Sequence, residues 1–374
     1  MDPQTTSPSV ARLGAAYRYL YYSDRIDGWM YQTTALAMME LLWLQEEAGF
    51  AGNVAEIGVH HGCSALALIA GARPDETVIA IDLFDRQDLN IDDSGKGSLA
   101  AFQQQLSDLF PHARVQTIAK SSPDIRGAEK DHSLTDLRFF SIDGGHTLAL
   151  TLNDLEIADA SLAPHGVAVL DDVFNADWPG VISGLFAFLA RRGGLVPFAI
   201  FPNKVFLCRA PFTDFYRSGC RDVFAYALDR QDMELQDHRL EVYGDRWPHL
   251  TRRLADPAVA AAAQPGVRAI EASGRPIKRH MIARPGDLDH ASAQLEYMQT
   301  LLAREQRRAE VLQNTAEQAR LETGEAKRQL AALRASSSWQ LTAPLRWLAG
   351  AFSRGSRREM EPEPQPPSHV SGSR

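Results

Sequence analysis

The chain is short of cysteine: Cys63, Cys208 and Cys220 are the three present in 374 residues. An odd, scattered set with no CxxC pair excludes a disulfide framework and fits free thiols in a reducing compartment. Positive charge is not in excess either. With 39 Lys and Arg against 47 Asp and Glu the formal net charge is −8, which argues against a nucleic-acid surface spread over the whole molecule. No run approaches the roughly 18 uninterrupted apolar residues of a spanning helix. The opening stretch MDPQTTSPSVARLGAAY has no apolar core of the kind a secretion signal carries. The expectation is a soluble, cytoplasmic protein without a nucleic-acid partner.

What is present is apolar material, 45% of the chain, in a length above the usual ~100–200 residues of one domain, so one main domain with extensions is expected. Between residues 51 and 210, NVAEIG, TVIAID, ARVQTIA, LRFFSID, GVAVLDD and LVPFAIF are short apolar runs rich in Val, Ile and Phe, the pattern of strands covered on both faces. CSALALIAGA, SLAAFQQQLSDLF, TLALTLNDLEIADASL and VISGLFAFLARR lie between them with apolar residues at helical spacing. This alternation predicts a doubly wound, mostly parallel α/β sheet. Only Pro202 and Asn203 separate LVPFAIF from KVFLCRA, too short a link for a crossover, which predicts an antiparallel edge strand. Residues 1–50 read as an N-terminal helical cap packing on the sheet or covering its ligand edge.

The stretch NVAEIGVHHGCSALAL at residues 53–68 joins the first strand to the first helix. His60, His61 and Cys63 are too close in one turn to converge on zinc. Gly58 and Gly62 do not have the GxGxxG spacing of a dinucleotide loop, and Glu56 ahead of them would repel a pyrophosphate. An acid, two glycines and a helix start suit a ligand with cationic and hydroxyl-bearing parts and no phosphate. S-adenosylmethionine is such a ligand. Asp82, at the end of the next strand, stands where a ribose-binding acid is expected. Further on, Asp143, Asp171 and Asp172 end two later strands. A parallel sheet brings them to the same carboxyl edge, where a hard divalent cation such as Mg²⁺ makes three neighbouring carboxylates tolerable.

These features together resemble the class I S-adenosylmethionine-dependent methyltransferases, with a Rossmann-like sheet. IDGWM (26–30), IDGGHT (142–147), LDDVFN (170–175) and DWPGV (177–181) resemble the branch of macrocin-type and cephamycin-type O-methyltransferases. The resemblance implies cofactor binding by Glu56, Gly58, Gly62, Asp82, Ser121 and Ser122, and a metal, Mg²⁺ or another divalent ion, on Asp143, Asp171 and Asp172. It also implies catalysis by Asp143 with His146, which stands where related enzymes carry a lysine base; a capping or substrate-binding role is the alternative.

Residues 211–285 show no clear period and read as a small appended region. From 286 to 335, Leu288, Leu295, Leu302, Ala309, Ala316 and Leu330 form one heptad column, which predicts a long helix or coiled coil and a homo-oligomer. Residues 336–374 begin with SSSWQLTAPLRWL and end in a Pro-rich polar tail. The first part resembles sequences that follow coiled coils in bacterial surface-polysaccharide enzymes, and its Trp, Leu and Arg residues suit a peripheral membrane or biosynthetic-complex contact. The function expected is therefore O-methylation of a glycan or small-molecule acceptor, first of all a sugar hydroxyl in surface-polysaccharide biosynthesis. The alternatives are methylation of a small natural product and a non-catalytic scaffold with a methyltransferase fold.

Overall fold

The computed structural model describes residues 8–272 apart from 128, 192–193 and 247–249. The expected coiled coil and amphipathic segment lie outside the described residues. The apolar runs fold as strands β1 (Val54–Ile57), β2 (Thr77–Asp82), β3 (Arg114–Ala119), β4 (Leu137–Ile142), β5 (Leu162–Leu170), β6 (Leu195–Phe201) and β7 (Lys204–Arg209), followed by β8 (Leu228–Leu235) and β9 (His238–Tyr243). The helices are α1 (Val10–Tyr22), α2 (Gln32–Glu47), α3 (Cys63–Gly71), α4 (Leu99–Leu109), α5 (Leu148–Ser161), α6 (Pro179–Ala190), α7 (Thr213–Phe224) and α8 (Pro257–Ala272). Ser9, Ser98 and Thr147 accept hydrogen bonds from the first-turn amides of α1, α4 and α5, which fixes where those helices begin.

One sheet holds all nine strands in the order β3-β2-β1-β4-β5-β7-β6-β9-β8. β1, β2, β3, β4 and β5 pair in parallel. The Pro202–Asn203 turn makes β6 and β7 antiparallel, and β7 also runs antiparallel to β5. The sheet does not stop at that hairpin: β9 pairs with β6 in parallel and β8 pairs with β9. Strand order reverses between β1 and β4, so a crevice is expected beyond the carboxyl ends of these two strands.

Strict alternation builds a core on each face of the sheet. Val54, Val78, Phe139 and Val167 pack with α1, α2 and α3 on one side, while Ala55, Ile79, Phe140 and Ala168 pack with α5 and α6 on the other. Among the described residues, no helix is long and apolar enough to cross a membrane.

Candidate active site

Between β1 and α3 the chain turns through left-handed backbone at Gly58 (φ +87°), His60 (+53°) and Gly62 (+96°). A Cβ on Gly58 would sit 1.7 Å from the Asp143 carbonyl oxygen, and one on Gly62 would sit 2.5 Å from the Phe102 ring. Both glycines are therefore required by contacts within the chain and by backbone sign, and they press the loop against the end of β4. Asp82 holds the loop from the neighbouring strand: its Oδ2 accepts from the His60 amide at 2.7 Å and its Oδ1 from the Phe84 amide. Glu56 is fully buried on β1, where Oε1 accepts from the Ser64 hydroxyl and Oε2 has no hydrogen-bond partner. Burial pushes its carboxyl up to about 7, only partly offset by Ser64 and the Lys204 ammonium.

His60 and His61 stack on each other with ring centroids 4.1 Å apart, and His60 Nδ1 lies 3.2 Å from the Asp27 carbonyl. Burial, and then His61, push the His60 pKa down. Ser121 and Ser122 follow β3, tied to the same rim by the Lys120 amide, which donates to the Asp82 carbonyl at 3.1 Å. Ser122 is buried beside Asn153 and Asp154. Glu56, Gly58, Gly62 and Asp82 are thus brought together, with Ser121 and Ser122 at the next strand end.

The acids of β4 and β5 reach the same edge in two unequal sets. Donor atoms of Asp143, His146 and Asp172 all lie within 4.8 Å of one another, a spacing that fits one divalent ion. Asp171 adjoins that set, linked to Asp143 through Lys204 and to Asp172 through Asn203. Its Oδ2 is ion-paired to Lys204 Nζ, and its Oδ1 accepts from the Asn203 side chain at 2.7 Å and the Asp172 amide at 2.8 Å. Of the expected metal trio, Asp143 and Asp172 fall in the clustered set with His146, and Asp171 lies beside them, paired to the buried Lys204 ammonium.

Lys204 is 2% exposed and also lies 3.6 Å from Asp143. Burial favours its neutral amine, but Asp171 and Asp143 outweigh it and hold its pKa above the ordinary value. For Asp172 burial pushes up, while hydrogen bonds from His146, Asn175 and Asn203 pull its pKa down to about 2. Asp172 has left-handed backbone, φ +56°, strain of a kind found where surrounding structure over-determines a site.

His146 is bracketed. Its Nδ1 is 3.2 Å from Asp92 Oδ2, its Nε2 is 3.1 Å from Asp172 Oδ2, and its ring stacks on Trp178 at 4.4 Å. Burial opposes its charge, but the Asp172 hydrogen bond and the nearby Asp143, Asp172 and Asp92 carboxylates raise its pKa. Carboxylates thus stand at both ring nitrogens of His146.

Asp92, Asn203 and Lys204 were missed by the sequence reading. Lys204 had a signal: Leu170 pairs with Val205, so the first residue of an antiparallel strand returns beside Asp171. Asp92 had none, since it sits in an irregular loop before α4.

Residues 55–173 match the family model described as a methyltransferase domain. That stretch is a methyltransferase domain. It contains the candidate residues of the edge from Glu56 to Asp172 and leaves out the hairpin pair Asn203 and Lys204. No match was found among curated proteins. Similar solved structures include the O-methyltransferase NovP, 15% identical over 48% of this chain and 80% of that one with a TM-score of 0.38. The calicheamicin methyltransferase CalS11 is 19% identical over 48% and 79% at a TM-score of 0.36. An O-methyltransferase from Bacillus cereus in complex with SAH is 14% identical over 54% and 92% at 0.37. At such TM-scores these likenesses carry no weight on acceptor, metal or partner.

Proposed function

We propose that the protein is an S-adenosylmethionine-dependent O-methyltransferase whose acceptor is a sugar hydroxyl in a surface polysaccharide or its precursor. The observation that carries this reading is convergence: the loop with Glu56, Gly58 and Gly62, the ribose-competent Asp82 and the acids of β4 and β5 meet at the switch point of one sheet. The donor supplies an electrophilic methyl group on a sulfonium. Asp82 keeps acceptor capacity for ribose hydroxyls beyond its two amide contacts, and the free Oε2 of Glu56 faces no competing partner. Asp143, with its side chain 25% exposed, is the most open carboxylate of the cluster and accepts the proton leaving the hydroxyl. Lys204 keeps these acids from repelling one another. Flat rings border the edge, with Trp29 81% exposed and 5.9 Å from His60, and Trp178 against His146. They offer apolar faces to a sugar ring between polar contacts.

Titration calorimetry with S-adenosylhomocysteine tests the donor. Binding is expected, and Asp82→Asn is expected to weaken it about tenfold, the ~1.4 kcal/mol of one good hydrogen bond. Absence of heat at millimolar ligand would mean a scaffold rather than an enzyme. Transfer of labelled methyl from the donor into a polysaccharide fraction tests the acceptor, and label found only in small organic-soluble products would replace it.

A further inference from the structure

The acids at the ends of β4 and β5 stand close enough for an ion to sit among them, but donors of the chain itself already hold their lone pairs. Asn203 spans the two neighbours on β5: its side-chain amide donates to Asp171 Oδ1 at 2.7 Å and to Asp172 Oδ1 at 2.8 Å. A second donor completes each oxygen, the Asp172 backbone amide at 2.8 Å on Asp171 and the Asn175 side-chain amide at 2.8 Å on Asp172. A carboxylate oxygen offers about two lone pairs, so both oxygens are filled. Lys204 Nζ takes Asp171 Oδ2 and lies 3.6 Å from Asp143 Oδ2, while His146 Nε2 stands 3.1 Å from Asp172 Oδ2. An ion entering here would have to displace these donors and then lie against a buried ammonium, which repels it strongly at such range.

The key donors come from one feature, the two-residue turn between β6 and β7. Asn203 has left-handed backbone, φ +66°, a conformation Asn adopts more readily than most residues. Lys204 opens β7 one residue before the pairing of Val205 with Leu170, so the turn sets an amide and an ammonium against the ends of β4 and β5. We infer that Lys204 takes the place of a divalent cation in this chain: its ammonium, seated with Asn203, is the resident positive charge between Asp143 and Asp171, and the edge is closed to Mg²⁺ and Mn²⁺. The inference rests on the methyltransferase reading for its purpose and on these hydrogen bonds for its content. Lys204 is a positioning residue, since at 2% exposure it acts on an acceptor only through Asp143.

Mn²⁺, which suits carboxylate and water ligands as Mg²⁺ does, is added to the full chain and followed by electron paramagnetic resonance. Wild type is expected to leave Mn²⁺ free up to about 1 mM. Lys204→Met removes the charge and keeps the stem, and is expected to bind Mn²⁺ with a dissociation constant at least tenfold below that limit. Lys204→Arg keeps the charge and is expected to bind none. Adding Asp143→Asn to Lys204→Met is expected to abolish the gained binding. The inference is overturned if wild type binds Mn²⁺ below the limit and loses it in Asp143→Asn or Asp172→Asn, or if folded Lys204→Met gains no binding. Wild-type binding that survives both substitutions lies elsewhere on the surface, with the edge closed as inferred. The wild-type spectrum decides even where a variant fails to fold. S-adenosylhomocysteine binding, measured by calorimetry on the same samples, separates the two readings: its absence fails the methyltransferase reading, while its presence beside edge-bound Mn²⁺ fails this inference alone.

Discussion

Glu56 is a single carboxyl that couples the cofactor edge to stability. Burial raises it from 4.5 to about 7. An acid whose folded pKa lies above its unfolded value stabilises the fold fully only below the unfolded pKa, and that stability drains away as pH rises through the folded one. At ~1.36 kcal/mol per pKa unit the loss between pH 5 and pH 8 is about 2.5 kcal/mol. Denaturant unfolding of wild type and Glu56→Gln at both pH values checks this: the fall is expected to shrink in the variant, and equal falls would show that Glu56 does not titrate there. His146, also raised, and the buried Asp154, raised to about 6, lose stability in the same direction and contribute to what remains. Asp172 acts the opposite way, its contribution lost only as pH drops from about 4 toward 2. Position along a strand made Glu56 legible in the sequence; the price of its burial was not, because that depends on α3 and β7 closing over it.

At the scale of elements, short apolar runs were enough to find β1 to β7, of which all but the edge strand β3 are largely buried. β8 and β9 escaped. LDRQDMEL is mostly polar and largely exposed at the sheet margin, so no apolar period marks it. β4 contains the reverse case, Arg138, a fully buried cation inside an apolar strand. Its Nε and Nη2 meet Glu76 at 2.7 and 2.6 Å, and Nη1 reaches the Leu42 carbonyl and Gln45. These contacts join β4, the start of β2 and the end of α2 at the amino edge, away from the chemistry. Removing one partner leaves an uncompensated buried charge, which costs about 3–5 kcal/mol. Glu76→Ala is therefore expected to lower the unfolding free energy by that amount in denaturant titration, without altering S-adenosylhomocysteine affinity of the protein that remains folded. A loss under ~1 kcal/mol would mean that water or rearrangement satisfies Arg138.

Across the whole molecule, residues 211–272 complete the core rather than decorate it. Tyr216, Cys220 and Phe224 of α7 are buried in the same cluster as α2. Arg253 pairs with Glu40 and Glu47 of α2, and Thr33 donates to Asp245 at 2.8 Å. α8 lies so close to α1 that a Cβ on Gly14 would come within 3.3 Å of Ala262. These contacts join residues about 170 or more positions apart in sequence, so no local window reveals them, and the appended reading of 211–285 could not have anticipated a sheet continued through β9. They also fix where the chain can be cut. The described residues belong to one compact unit that ends at Ala283, so a protein ending there is expected to unfold in a single cooperative transition and to bind S-adenosylhomocysteine. A protein ending at Ala210 loses the partner strand of β6 and the cover over α2, exposing apolar surface worth tens of kcal/mol at ~25 cal/mol/Å², and is expected to aggregate or to lack near-ultraviolet ellipticity. A cooperative transition with an unchanged midpoint in the shorter protein would show that the methyltransferase sheet is self-sufficient at β6.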